Sequence, residues 1–252
     1  MTFVYTSLTL PFCCMTTTTS ATPSTHRSIG RLVRQMLSVF WKDIRSELKT
    51  RYALNAVLMF VLTTVTMIAF ATADEKLSNG VIAGLLWVVL FFSAMTGVAK
   101  SFVSEEERGT VLLLRLSAPS WAVYVGKLLF NVVLTMALYG LAVLAFLFFV
   151  DDMVVRSPAL FWASVLLGSL ATAGATTIIA AIIAKANTKG ALFPVLSFPV
   201  LLPLILSGVE TTYQALSGVA FEQARSSFQL IGSYSVVVIT ISLLLFDFVW
   251  KD

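Results

Sequence analysis

Six apolar runs, each about as long as a bilayer is thick, dominate this sequence. A helix needs about 20 predominantly apolar residues to cross roughly 30 Å of hydrocarbon. Stretches that meet this demand lie at 53–72, 79–99, 128–150, 159–184, 191–208 and 228–249. Charged residues make up only 12% of the 252-residue chain, and hydrophobic ones 58%. A soluble domain carries about 25% charge because its surface faces water, so much of this surface must face lipid instead. The predicted fold is an all-α membrane protein with about six transmembrane helices. The fifth run is the irregular one, because Pro194, Pro199 and Pro203 fall inside it. Each proline removes a backbone donor and clashes with the preceding turn. Irregular backbone cannot face lipid at this depth, so this span must be buried among other helices or line a cavity. A continuous helix and a re-entrant segment both fit.

The charges between the runs set the orientation. Before the first run lie Arg27, Arg31, Arg34, Lys42, Arg45, Lys49 and Arg51; Lys100, Arg108, Arg115 and Lys127 follow the second. Lys185 and Lys189 follow the fourth, and Lys251 ends the chain. The intervening loops hold only Lys76, Arg156 and Arg225 of the 17 basic residues. By the positive-inside rule both termini are cytoplasmic, and the clean alternation supports an even number of spans. The opposite side is mildly acidic, with Asp74, Glu75, Asp151, Asp152, Glu210 and Glu222. Basic residues clustered between apolar runs are a topology signal, unlike the continuous basic surface of a nucleic-acid binder. Trp41, Trp121, Trp162 and Trp250 fall near the expected membrane interfaces, where an amphipathic ring sits best. Trp87 falls inside the second run and reads as packing.

Residues 1–28 read as a disordered extension ahead of a single permease-like domain at 29–252. The 16–25 segment is rich in Thr, Ser, Ala and Pro, too polar to build a core. The apolar stretch before it lacks a basic n-region and a small-residue cleavage site, so it does not read as a signal peptide; Met15 offers an alternative start. Cys13 and Cys14 are adjacent and neither staple a fold nor form a metal site. From residue 29 to 48 the apolar Ile29, Val33, Met36, Leu37, Phe40, Ile44 and Leu48 recur at helical spacing, with Arg31, Arg34, Lys42, Arg45 and Lys49 filling the other side. This pattern predicts an amphipathic interfacial helix lying in the headgroup plane, a membrane anchor that can also dock a cytoplasmic partner.

The loop after the second run carries the most information. It leaves the membrane through Phe102 and a dense charge run, Glu105, Glu106, Glu107 and Arg108. Gly109 then permits a turn, and an apolar TVLLLRL segment containing Arg115 leads to Pro119. A solvated loop would have no use for that apolar segment, so the element is expected to be gripped by another protein. The chain has no G-x-x-x-x-G-K-[ST] phosphate cradle; its Gly126-Lys127 pair lacks the upstream glycine, so ATP hydrolysis by the usual P-loop route is not expected of it.

These residues carry a resemblance. SFVSEEERGTVLLLRLSAPSWAVYVGKLLFN is similar to the loop between the second and third helices of ABC-2-type permeases. More closely it resembles the CcmB family, the membrane subunit of the cytochrome c maturation haem exporter. FWKDIRSELKTRYALNAVLMF at the first span and LFPVLSFPVLLPLILSGVETT through the fifth extend the likeness over residues 37–252. The resemblance implies a multi-pass protein of the bacterial inner membrane whose 105–119 loop seats on a cytoplasmic ABC ATPase (CcmA-like). It also implies a haem-handling membrane subunit (CcmC-like) and a homodimer within the complex. Alternative readings are an ABC-2-type permease for another substrate, or a structural assembly subunit.

The remaining residues are read more plainly. Glu210, at the outer end of the fifth run, is a candidate functional acid, since an acidic residue at the membrane boundary marks a functional site by default; simple hydration at the interface is the alternative. Gly168, Ser169, Ala171, Ala173, Gly174 and Ala175 make a small-residue face suited to close packing, within the chain or between two copies. Haem iron is held by His, Cys, Met or Tyr. The single histidine, His26, lies in the cytoplasmic extension, and on the outer side only Met153 and Tyr213 offer ligands. No cofactor or metal is therefore expected on this chain. Asp151-Asp152 reads as a solvated turn. An intramembrane enzyme would need converging ionisable groups within the spans, and Asp247 is the main one there.

Overall fold

The computed structural model describes residues 25–74, 76–98, 109, 119–184 and 189–251. Within them lie seven helices and no strand: α1 (Thr25–Thr50), α2 (Tyr52–Ala71), α3 (Asn79–Val98), α4 (Ser120–Phe149), α5 (Pro158–Ala184), α6 (Lys189–Ser217) and α7 (Phe221–Lys251). Six of these, α2 to α7, are long and apolar enough to cross a membrane. Hydrocarbon leaves unpaired backbone groups no partner, so apolar runs of this length resolve into helices, whose amides are satisfied internally.

Three spans outrun the apolar runs that announced them. α7 starts at Phe221, seven residues before 228, and α6 continues to Ser217, nine residues past 208. α4 begins at Ser120, eight residues before the apolar run that announced it. α6 is a single helix of 29 residues that carries Pro194, Pro199 and Pro203 in its interior, so the proline-rich segment is continuous. Its line is held by tertiary packing on α3, α5 and α7. Side chains assist: Thr211 Oγ1 donates to the carbonyls of Ser207 (3.1 Å) and Gly208 (3.0 Å), and Tyr234 on α7 donates its hydroxyl to Val200 O.

α5 is the central element. Nearly every residue from Ala171 to Ala181 is buried, and α5 packs against α4, α6 and α7. The small-residue face therefore serves packing within the chain. A Cβ on Gly168 would run into the Trp87 ring, and one on Gly174 would lie 2.8 Å from Ile239 Cγ1. Trp87 of α3 is the largest wholly buried side chain. Its ring fills a slot between Gly168 of α5 and Gly208 of α6, where a Cβ on Gly208 would overlap the indole. Its Nε1 donates to Thr212 Oγ1 at 2.9 Å, and Tyr139 of α4 meets it edge-on at 6.3 Å between centroids. One indole thus joins four helices. Trp41, Trp121 and Trp162 are exposed, as expected for interfacial rings.

Cross-helix hydrogen bonds complete the join between α4 and α5. Asn131 Nδ2 donates to Thr177 Oγ1 at 2.8 Å, and the Tyr139 and Thr172 hydroxyls lie 2.9 Å apart. Such bonds supplement the van der Waals packing that drives helix association in lipid.

The Trp87 slot gives a test. Gly208→Ala should cost about 1–3 kcal/mol through overpacking, read as the thermal midpoint of the detergent-solubilised protein. In a Trp87→Leu background the same change should cost much less, a coupling that a double-mutant cycle isolates. Additive losses would mean that the indole does not fill the slot.

Candidate functional site

The foot of α4 gathers most of the structure at one end of the bundle. Pro119 caps it in an extended conformation (φ −66°, ψ 151°), and its carbonyl accepts from the amides of Ala122 and Val123 at 3.0 and 3.2 Å. Proline suits this position because its fixed φ feeds the first turn and its missing N–H has no helical partner to lose. One face of the foot meets the far end of α7. Ser120 Oγ donates to Asp247 Oδ1 at 2.5 Å, and the Tyr124 and Phe246 rings lie 4.9 Å apart. Asp247, the main ionisable group expected within the spans, is thereby engaged in joining α7 to α4.

The other face meets α1. A Cβ on Gly126 would come within 2.9 Å of Met36 O and of Val39 Cβ, so only glycine lets the two helices approach this closely. One residue on, Lys127 Nζ lies 3.1 Å from Asp43 Oδ2, with side-chain exposures of 1% and 9%. Lys42 Nζ lies 3.4 Å from the other carboxylate oxygen. Lys127, counted from the sequence among the basic residues of the loop after the second run, sits instead within α4, buried beneath α1. The sequence hides this because a cation at the end of an apolar run looks like a loop residue until a second helix covers it. A buried ammonium is tolerated only when paired, and Asp43 supplies the charge.

α1 accordingly does more than an isolated interfacial helix. Val39 and Asp43 are buried against the bundle, while Leu37, Trp41, Lys42 and Arg45 remain exposed. It passes into α2 through Arg51, which adopts the left-handed conformation (φ 51°), donates its amide to Glu47 O at 2.7 Å and accepts from Asn55 N at 3.0 Å.

Of the residues singled out in the charged loop, Pro119 is the cap just described, and Gly109 lies in an exposed turn with φ +65°, a conformation that favours glycine. Phe102, Glu105, Glu106, Glu107, Arg108 and Arg115 lie outside the described residues, as do residues 1–24 of the N-terminal extension. α1 starts at Thr25, inside the 1–28 segment set aside as an extension.

The opposite end is tied together by polar contacts. Asp152 accepts the Leu77 amide at 3.0 Å, Asn79 Nδ2 donates to Ser217 Oγ at 3.2 Å, and the Ser157 amide donates to Ala215 O at 3.0 Å. Asp152 is therefore a half-buried cap between two loops, while its neighbour Asp151 is exposed. A groove of about 420 Å³ between these loops is lined by Asp74, Lys76, Asp151 and Asp152 among others. Glu210 is exposed on α6 and accepts from Gln214 Nε2 at 2.8 Å, one turn away. Met153 is buried in the core, whereas Tyr213 is exposed, so the two conceivable iron ligands do not share an environment. No group of three His, Cys, Asp or Glu able to hold a metal occurs among the described residues.

A bundle of six helices long and apolar enough to span, cross-braced by hydroxyls and small residues and carrying an amphipathic helix packed on α4, defines a multi-pass α-helical membrane protein. Within that class the chain belongs to the CcmB protein family, whose model matches residues 34–248. It is also similar to the heme exporter protein B of Rhodobacter capsulatus, with 27% identity over 192 residues that cover 74% of this chain and 86% of the relative. The matched region holds the whole α4 foot, its α1 and α7 contacts and all but the last residues of the bundle.

The buried pair is testable. Lys127→Met should strand Asp43 without its closest cation and cost about 3–5 kcal/mol, nearer the lower figure because Lys42 remains at 3.4 Å. Asp43→Leu combined with Lys127→Met should recover most of that loss. Equal destabilisation of the single and double variants in detergent-denaturation midpoints would show that the two charges do not act as a pair.

Proposed function

We propose that this chain is the membrane permease subunit of an ABC exporter that serves haem delivery in c-type cytochrome biogenesis at the inner membrane. In this reading it draws its energy from a separate cytoplasmic ATPase. The family membership and the heme exporter relative support the transport class and the cargo. The observation that carries the mechanism is the continuity from residues 102–118 through Pro119 into the α4 foot, which bonds α7 through Ser120–Asp247 and α1 through Lys127–Asp43.

A force applied to the loop would enter α4 at its cap. Two short polar links then pass that force to the first and last helices of the bundle. Glu105, Glu106, Glu107, Arg108 and Arg115 supply charge for an ATPase surface, Phe102 an apolar anchor, and Gly109 the turn between the charged and apolar segments. The chain itself performs no hydrolysis and holds no cofactor. Haem is handled by a companion membrane subunit (CcmC-like), the ATPase is CcmA-like, and a second copy of this chain completes the complex. Both termini, α1 and the loop share the cytoplasmic side because the basic residues concentrate there, and α1 lies along the membrane surface. Glu210, expected at the end of the fifth run, lies instead two turns inside α6, which continues to Ser217, and its exposed carboxylate faces outward from the helix where cargo or the companion subunit could meet it.

Charge reversal at Glu105, Glu106 and Glu107 together should reduce the co-purifying ATPase by roughly tenfold or more, since complementary charge fixes such interfaces. Membrane yield of the chain should stay unchanged. Undiminished ATPase recovery would remove the coupling assignment. Orientation is checked separately: a fluorescent-protein fusion after Lys251 should glow, and an alkaline phosphatase fusion after Ser157 should be active. The reverse pattern would invert the topology.

A further inference from the structure

α1 has three faces. Taking about 100° per residue, Arg34, Arg45 and Lys42 fall within about 80° of one another, and Asp43 lies about 180° from Arg34. The Asp43 side is fastened to α4, with Val39 buried beside it. Between the bundle side and the basic side runs a third stripe, Val33, Leu37, Trp41 and Leu48, all exposed despite being apolar. Where the apolar and basic stripes meet there is a groove of about 630 Å³, lined by Arg34, Leu37, Ser38, Trp41, Lys42 and Arg45.

Among the described residues, no acidic side chain lines this groove. Asp43, the acid nearest in sequence, is turned to the bundle side, where it holds Lys127 and approaches Lys42. The wall therefore offers cations along one edge and an indole and an isobutyl group along the other. Water satisfies the first edge and not the second; an acidic loop of a soluble protein does the same. An amphiphilic anion satisfies both.

We infer that this groove is a binding site for the phosphate headgroup of an anionic glycerophospholipid in the leaflet that α1 lies against. The phosphate lies along the cationic edge that Arg34 and Arg45 set, held by their charge. Trp41 and Leu37 cover the glycerol and the first methylenes, the depth at which an indole is best accommodated. The opposite face is locked by a buried ion pair, so α1 presents the groove at a fixed height relative to the spans. A bound anionic lipid thereby becomes part of the end of the bundle where α1, α4 and α7 meet. This inference rests on the placement of α1 along the membrane surface.

The test uses the intact chain in nanodiscs of phosphatidylcholine containing a minor fraction of phosphatidylglycerol, with retained lipid counted by native mass spectrometry. Wild-type protein should hold phosphatidylglycerol above its bulk fraction. Arg34→Gln with Arg45→Gln should lower that preference about thirty-fold, the combined effect of two cations at a membrane surface. Arg34→Lys with Arg45→Lys should keep most of it, and glycerol phosphate in solution should not displace the lipid. No enrichment in the wild type, equal enrichment in the glutamine variant, or displacement by glycerol phosphate would each overturn the site. With Cys13 and Cys14 replaced by serine, a nitroxide at Val33→Cys reads the height of α1 independently of headgroup charge. A label in bulk water would remove the surface placement and the lipid site together. A label at headgroup depth without phosphatidylglycerol preference would remove the site alone.

Discussion

Hydrocarbon offers a backbone amide nothing to bond with, and every feature of this bundle answers that condition. Six helices satisfy their own amides, so their association must come from close packing and a few cross-helix hydrogen bonds rather than from hiding apolar surface. Close packing in turn demands small residues where helices touch. Gly168 and Gly208 open the slot that Trp87 fills, and Gly174 receives Ile239. The proline-bearing α6 is the strictest case. Its three prolines weaken its own ladder, and it stays helical with α3, α5 and α7 packed on one side while Val195, Phe198 and Leu206 are exposed on the other, so it is not enclosed as the sequence led one to expect.

The same economy of polar groups separates the two ends of the molecule. At the end away from the α4 foot, short loops are pinned to helix termini by Asp152, Asn79 and the Ser157 amide. At the basic end, the contacts converge on a single helix foot. Ser120, Tyr124, Gly126 and Lys127 occupy its first turns and reach α7 and α1. An end stitched loop to loop resists motion evenly, whereas an end joined through one foot can transmit a displacement of that foot. In the proposed mechanism, this asymmetry gives a driving subunit its point of purchase at the loop entering through Pro119.

Much of this architecture is legible in the order of the residues. Hydropathy locates the six spans, since length and apolarity are local properties. The alternation of basic loops predicts their orientation, since charge cost at a membrane is also local. Spacing reveals the amphipathic α1, and composition reveals the charged loop. The α4 foot is not legible in this way. By sequence Lys127 looks like a loop cation, Asp152 like half of a solvated turn, and Trp87 like ordinary packing. Each owes its role to a residue far along the chain: Asp43 for Lys127, Leu77 for Asp152, Thr212 for Trp87.

The class of protein and the number of spans are properties of the residue order alone, because they follow from transfer free energies summed over neighbouring residues. The proline-rich fifth span shows the limit: its composition allows a broken helix or a continuous one, and only its neighbours settle the matter. Three features belong to the folded chain instead: α1 is clamped to α4, the small-residue face of α5 is spent within the chain, and one indole joins four helices. The reason is the same each time. A buried charge or a glycine cavity acquires meaning only from the group that occupies the other side of it, and that group arrives through the fold.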